Sequence, residues 1–363
     1  MSRPEEYSVG WICGITTDYV AAQALLDEQH QPPEYLHPDD KNDYTLGKIG
    51  KHNVALAVIP IGEHGASSAA EVAKYLMRSF PNIRIGLSVG VGGGAPSQNN
   101  DIRLGDVVVG IPYNGQGSVL QYDLCKTIQS QSYPTILDRP PLILRTAVNG
   151  LQAEYETKGH QLEEAINKAL ERKPRLWKKF KRPDPISDKL YRSDIYPADI
   201  GPTCTLLSQD DSSELVLRDL RTHQDDNPVL HYGLVLSSNL LMKDALLRDK
   251  LAAERGVLCF EMQAVGLMQN FPCLVIRGIC NYADTHQNKE WQGYASMVAA
   301  AYAKDLLSRI SPQRMESETK AKDVLMGSDH HTHATFGRKN SGLQIGVNYG
   351  PINGVTFGSK RNT

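Results

Sequence analysis

From residue 8 to residue 310, short apolar runs alternate with helical stretches, and that rhythm points to an α/β core around a mostly parallel sheet. Ser8 to Ile15 reads as a buried strand and Tyr19 to Glu28 as a helix. Asn53 to Ile61 is the next strand, followed by a helix over Ser67 to Ser79 with small and apolar residues on one face. Ile83 to Val91 is strand-like and ends in a glycine turn, Gly90-Val91-Gly92-Gly93-Gly94, before Asp106 to Ile111. A long helical stretch is expected over Pro141 to Leu170. Tyr232 to Leu236, Leu258 to Met262 and Cys273 to Ile279 are further strands, and Ala295 to Ile310 is a closing helix.

Composition bounds the function. A net charge of −2 gives no general electrostatic reason to expect nucleic-acid binding. No apolar run approaches the roughly 18 residues of a membrane span, and Met1 to Tyr7 lacks the apolar core of a secretory signal. The six cysteines form no CxxC pair. Mostly in apolar, strand-like contexts, they are expected as free thiols in a reducing, cytoplasmic setting.

Three segments depart from the α/β rhythm. Residues 171 to 199 open with Arg172, Lys173, Arg175, Lys178, Lys179, Lys181 and Arg182, and are then punctuated by prolines. This is either a solvated insertion loop or a basic lid for the phosphates of a nucleotide, with Arg172, Lys178, Lys179 and Arg182 as the phosphate-binding candidates. Residues 311 to 339 read as a polar linker, in which His330, His331 and His333 lack the supporting ligands of a metal site. Residues 340 to 358 form a Gly/Asn-rich segment in which Leu343, Ile345, Val347 and Tyr349 alternate with Gln344, Gly346 and Asn348. It is a floppy tail, a strand added to a sheet edge, or a self-templating cross-β segment.

Chemistry concentrates in two blocks. A glycine turn after a strand lets a ligand approach bare backbone. A dinucleotide-binding turn is the competitor, but Ala95-Pro96-Ser97 does not open a helix cleanly. The first block instead continues into Arg103-Leu104-Gly105-Asp106-Val107-Val108-Val109. The second block is Cys259-Phe260-Glu261-Met262-Gln263-Ala264, then Arg277-Gly278-Ile279-Cys280-Asn281-Tyr282-Ala283-Asp284. Together with Gly10 to Tyr19, these stretches resemble the nucleoside phosphorylase and nucleosidase superfamily over residues 7 to 310. Within it they look closest to the nucleosidase-like N-terminal domains of fungal NLR-type immune receptors, and the tail resembles a fungal amyloid signalling motif.

The resemblance implies a three-layer αβα domain with a mixed central sheet, a disordered C-terminal tail, and hydrolysis of the N-glycosidic bond of a purine nucleoside or nucleotide, ATP included. It implies no metal or cofactor. Asp18, where the family more often has Glu, would position the attacking water; it also suits a helix N-cap. Gly92, Gly93, Phe260, Glu261, Met262 and Gln263 would line the substrate, with Phe260 on the base and Met262 and Gln263 on the ribose. The family has Glu at 263, so the amide there loses a charge term for a cationic sugar. Asn281 stands where adenine-cleaving relatives carry Asp. It can donate a hydrogen bond to the purine N7 but cannot act as a general acid, a role worth about 10²–10⁴ in rate. The phosphorylases' phosphate site falls on Ser88 and Val91, and Thr16-Thr17-Asp18 contains no Arg, so hydrolysis is expected over phosphorolysis. A purine nucleoside phosphorylase and an inactive nucleoside-binding signalling protein are the alternatives. Arg277 and Asp284 are expected as a structural ion pair, His64 and His231 as structural histidines. A homo-oligomer and an NLR-type receptor engaged through the tail are the expected partners.

Overall fold

The computed structural model describes residues 1–63, 65–112, 117–122, 135–137, 140–195, 212–222, 225–286 and 289–327. The tail read as 340–358, the histidine cluster at 330–333, and His64 lie outside the described residues. The strands are β1 (Val9–Cys13), β2 (Glu28–Gln29), β3 (Tyr44–Ile49), β4 (His52–Val58), β5 (Ile85–Gly94), β6 (Val107–Gly110), β7 (Val119–Tyr122), β8 (Thr135–Leu137), β9 (Leu230–Ser238), β10 (Val257–Glu261) and β11 (Cys273–Asn281). The helices are α1 (Thr16–Leu25), α2 (Ala66–Ser79), α3 (Leu142–Lys158), α4 (Leu162–Arg172), α5 (Trp177–Phe180), α6 (Ala245–Arg255), α7 (Ala264–Met268), α8 (Gln292–Arg309), α9 (Pro312–Ser317) and α10 (Ala321–Gly327).

The sheet is mixed, in the order β2-β3-β4-β1-β5-β11-β6-β9-β7-β8, and β10 bridges β9 and β5. Five strands thereby close on themselves: β5 pairs β11, β11 pairs β6, β6 pairs β9, β9 pairs β10, and β10 returns antiparallel to Gly93 and Gly94 of β5. On one side α8 lies against β5 and β11 and gathers α1, α3, α4 and α5; on the other, α2 packs on α7. Burial follows from composition. The ring strands are rich in valine and isoleucine, which suit a pleated, fully buried surface. Along α8 the alanines at 295, 299, 300, 301 and 303 are all buried, and their small size lets the helix sit close. It sits closest at Gly278, where a Cβ would stand 1.9 Å from the Ala295 carbonyl oxygen.

Several boundaries differ from the sequence reading, each for a local reason. The glycines are not a turn after the strand but its last residues, Gly90 to Gly94. An extended glycine strand is tolerated because its neighbours' side chains fill the room the missing Cβ atoms leave. The single helix expected over 141 to 170 is two, α3 and α4, parted by Gly159, whose left-handed φ of 70° ends α3. The first helix starts earlier and stops sooner than expected, at Thr16 and Leu25. The basic stretch is not an open loop through Phe180: it forms a short 3-10 turn at Pro174–Leu176 and then α5, with Phe180 buried. The first half of the expected linker packs onto the body. Met315 and Ala321 are buried, and the Ala321 N–H donates to the Ile83 carbonyl.

Candidate active site

At its glycines, strand β5 offers bare backbone to side chains from separate elements. A Cβ on Gly90 would meet Asp18 Oδ2 at 2.5 Å; one on Gly92 would meet Cys259 Sγ at 2.4 Å; one on Gly93 would meet Asn281 Oδ1 at 2.8 Å. At the end of β1, Gly14 does the same for Gln263, whose Nε2 lies 3.1 Å from the position a Cβ would take. The glycines are thus required by close approach of side chains: Asp18 and Asn281 lie against β5 at Gly90 and Gly93, and Gln263 lies against Gly14 at the end of β1.

Asp18 is the third residue of α1 and is buried. Its Oδ2 accepts from the N–H of Ile15, the residue that caps the helix, at 3.2 Å. The N-cap expectation is therefore corrected: Asp18 reaches back to the cap from inside the helix. Its Oδ1 accepts from Ser296 Oγ of α8 at 2.7 Å. Burial pushes the carboxyl up from 3.8 to about 6, against the Ser296 hydroxyl, the Arg277 charge and the N–H groups of Ile15 and Val91. A carboxyl poised there has the strength of a general base working near neutral pH.

Arg277 on β11 is buried and ties the second block together. Its Nη2 donates to Glu261 Oε2 at 2.6 Å and Ser88 Oγ at 2.9 Å, and reaches Gln263 Oε1 at 3.5 Å; its Nη1 donates to the Ser88 carbonyl at 2.8 Å. The expected Arg277–Asp284 pair does not form. Arg277 faces the ring interior, whereas Asp284 lies beyond the strand end and pairs with Arg248 at 3.7 Å. Glu261 accepts from Arg277 and from the N–H groups of Gln263 and Ala264, which begin α7. Its carboxylate is spent on holding that turn. Met262 and Gln263 stay half-buried at the turn itself.

Against β5, the register of β11 shifts between Ile279 and Asn281, which lands Asn281 opposite Gly93. Its Oδ1 accepts from the Ala283 N–H at 2.9 Å, a turn that holds Ala283 at a left-handed φ of 51°. The amide is thereby oriented; its NH2 donates to Cys280 Sγ at 3.4 Å, which leaves one N–H to offer a ligand. Phe260 is buried in an apolar cluster with Ala95, Leu120, Leu234, Leu236 and Ala283, next to Gly93 in the register.

The four cations suggested for phosphate do not gather in one place. Lys179 Nζ donates to Thr17 Oγ1 at 3.1 Å, one residue from Asp18. Arg182 is engaged by Glu163 and by Asn227 Oδ1 at 2.6 Å, and stacks over Tyr294. Arg172 lines a groove with Ala24, Leu25 and Lys304, roughly 10 Å along α1 from Asp18. Lys178 is exposed. At Ser88, one of the two positions that correspond to the phosphorylases' phosphate site, the hydroxyl and carbonyl oxygens both accept from Arg277.

Asp106 of the Gly-Asp-valine motif has a structural task. It is fully buried and accepts from Arg221 at 2.5 and 2.6 Å, from His231 Nε2 at 2.9 Å, and from the N–H groups of Arg103 and Val229. Burial alone would raise its pKa; the Arg221 and His231 hydrogen bonds outweigh it and hold the carboxylate below its ordinary range. The expectation for His231 as a structural histidine accords with this contact. Sequence reasoning missed Ser296, Arg277 as the organiser, and the Lys179–Thr17 contact. All three depend on elements brought together by α8 and β11, and no local pattern marks them.

A cleft of about 540 Å³ adjoins the turn after Asn281, lined by Pro96 to Gln98, Asp101, residues 190–194, Arg218 and Arg248. It does not include Asp18 or Gln263. Among the described residues no group of three or more His, Cys, Asp or Glu could hold a metal, and no helix is long and apolar enough to cross a membrane.

Comparison with known proteins agrees with this architecture. Solved structures of similar fold include futalosine hydrolase of Helicobacter pylori (12% identity, TM-score 0.52) and the 5'-methylthioadenosine/S-adenosylhomocysteine nucleosidase of the same organism (11%, TM-score 0.52), each covering 84% of this chain and 99% of theirs. The Neisseria meningitidis nucleosidase of the latter name matches at 13% identity and TM-score 0.50, covering 84% of this chain and 99% of its own. At such identities the likeness is one of fold. A "Nucleotide-binding leucine-rich repeat (NLR)-like protein" of Hyaloscypha variabilis is 44% identical over 315 residues, 86% of this chain and 30% of that relative's length. Residues 332–354 match the family described as "SesB domain on fungal death-pathway protein". The chain thus shares the fold of these nucleosidases, is similar over 315 residues to part of a fungal NLR-like protein, and matches the SesB family over residues 332–354.

Proposed function

We propose that the domain hydrolyses the N-glycosidic bond of a purine nucleoside or nucleotide. The observation that carries this reading is Asp18, a buried carboxyl pushed up to about 6 and set against Gly90 of β5, the strand whose Gly93 lies against Asn281. In the proposed step Asp18 takes a proton from water, the water oxygen bonds to the anomeric carbon, and the glycosidic electron pair leaves with the base. Met262 and Gln263 hold the ribose, and the Asn281 NH2 donates to a ring nitrogen of the departing base. Lys179, beside Thr17, is the cation best placed for a phosphorylated substrate. The nucleosidase fold and the SesB match support an effector role in fungal cell death; a receptor engaged through the tail and assembly with further copies of this chain are proposed with it.

Incubation with ATP, adenosine and inosine, with and without phosphate, should release free base at a rate independent of phosphate, resolved by chromatography. Ribose 1-phosphate as product would make the protein a phosphorylase instead. Gly90→Ala should lower the rate by about 10²-fold with the fold retained, because its Cβ would displace the Asp18 carboxyl and misplacement near 1 Å costs about that much. A Gly90→Ala protein as active as the wild type would remove Asp18 from the reaction.

The two amides favour a second reading, a ligand-binding domain without turnover, because neither Gln263 nor Asn281 supplies negative charge or a proton. Asn281→Asp should raise hydrolysis of an adenine nucleoside by up to about 10²-fold. Activity appearing only in that variant would establish the second reading.

A further inference from the structure

Ser296 stands between two acceptors. It is buried on α8, and its Oγ lies 2.7 Å from Asp18 Oδ1 and 2.9 Å from the Gln292 carbonyl of the preceding turn. A hydroxyl has one proton and can serve only one acceptor at a time. Its place is not accidental to the packing, since α8 can come this close to β11 only because residue 278 is glycine. The other carboxyl oxygen, Oδ2, is held by the Ile15 N–H and wedged against Gly90. Oδ1 is therefore the oxygen whose surroundings can rearrange.

We infer that Ser296 is a positioning residue for the proposed reaction, a two-position hydroxyl that satisfies Asp18 both as carboxylate and as carboxylic acid. With Asp18 ionised, the Ser296 proton points at Oδ1. When Oδ1 takes a proton from water, the new O–H turns to Ser296 Oγ and the Ser296 proton turns to the Gln292 carbonyl. One water O–H bond breaks and one Asp18 O–H bond forms; Ser296 keeps its own proton throughout. Without this device, a buried carboxyl changing charge would leave a polar group unpaired in one state, at a cost the protein interior does not forgive.

The groups facing Asp18 fit a single titration. Arg277 of β11 supplies the nearby positive charge, and Lys179 of α5 lies at Thr17. The Cys13 thiol of β1 and the Cys280 thiol of β11 are both pushed up by burial, Cys280 to about 12, and stay neutral near pH 6. A hydrogen bond to the ionised form is stronger than one to the neutral form, so losing Ser296 raises the pKa of Asp18.

The inference rests on Asp18 as the base, and the test separates the two. In Ser296→Ala the acid limb of kcat/KM should move up by about one pH unit, so that the rate at pH 6 falls roughly five- to sixfold, while the plateau above pH 8 changes little. Ser296→Thr keeps the hydroxyl and should restore the limb. If alanine does not fold, Ser296→Cys, a near-isostere with a weak donor, should shift the limb in the same direction by less. A uniform loss of rate at every pH would overturn the inference. Titration of the Asp18 carboxyl by 13C NMR, assigned with Asp18→Asn, gives a readout independent of activity: an unchanged midpoint in the alanine or cysteine variant overturns the Ser296 role. An active Asp18→Asn protein would instead overturn Asp18 as base and leave the measured Ser296–Asp18 coupling standing.

Discussion

Asp18→Asn should lower base release by about 10²–10⁴-fold at pH 7.5, because an amide of nearly the same shape cannot accept a proton from water. The wild-type rate should rise with pH through about 6, as the buried carboxyl ionises. Stability should move the opposite way from activity. The folded carboxyl titrates near 6 and the unfolded one near 3.8, so between those values the folded state binds more protons and stability falls as pH rises. Above pH 6 the native protein carries a burden on the order of 3 kcal/mol from ionising Asp18 in place. Asn removes that burden and can still accept from Ile15 and donate to Ser296. Its unfolding midpoint at pH 8 should therefore exceed the wild type's, while at pH 4 the two should nearly coincide. Calorimetry across that range checks the sign; a less stable variant at pH 8 would show that the carboxylate is well solvated and not poised as a base.

Asp106→Ala should cost about 3–5 kcal/mol of unfolding free energy, the loss expected when one partner of a buried ionic network is removed. Arg221 and His231 would lose their shared acceptor, and the N–H groups of Arg103 and Val229 would lose theirs. The effect should extend to the site. Gly105 donates its N–H to the Ile279 carbonyl, and the Ile279 N–H donates to the Asp106 carbonyl, both at 2.8 Å, two residues before Asn281. Loosening that joint frees the strand end that sets the Asn281 amide. Denaturant unfolding should show the loss at pH 7. The wild type should itself lose this contribution as pH falls through the lowered Asp106 pKa, whereas Asp106→Ala should not. A variant within about 1 kcal/mol of wild type would mean the network is solvated rather than buried.

The rhythm of apolar runs marked the α/β core because burial on both faces demands continuous valine- and isoleucine-rich strands. The Gly-Asp-valine strand and the Glu-Met-Gln turn were visible as local patterns. Their tasks were not. Glu261 and Asp106 read as site or motif residues, yet each carboxylate is consumed by backbone N–H groups and an arginine, in contacts 16 and 115 residues away in sequence. The basic stretch misled in another way. Charge density on a chain says nothing about direction, and α4, α5 and the segment after α5 carry Arg172, Lys179 and Arg182 to three different places.

By itself the sequence determined which residue types could do chemistry: a carboxyl at 18, amides at 263 and 281, and a glycine cluster at 90 to 94. Only the tertiary structure decided where these groups lie, because β5 runs between β1 and β11 and its Gly90 and Gly93 take Asp18 and Asn281, while Gln263 lies against Gly14. It also decided the state of Asp18. A pKa near 6 is a property of burial, of Ser296 from α8 and of Arg277 from β11, and no one of those is a neighbour in the chain.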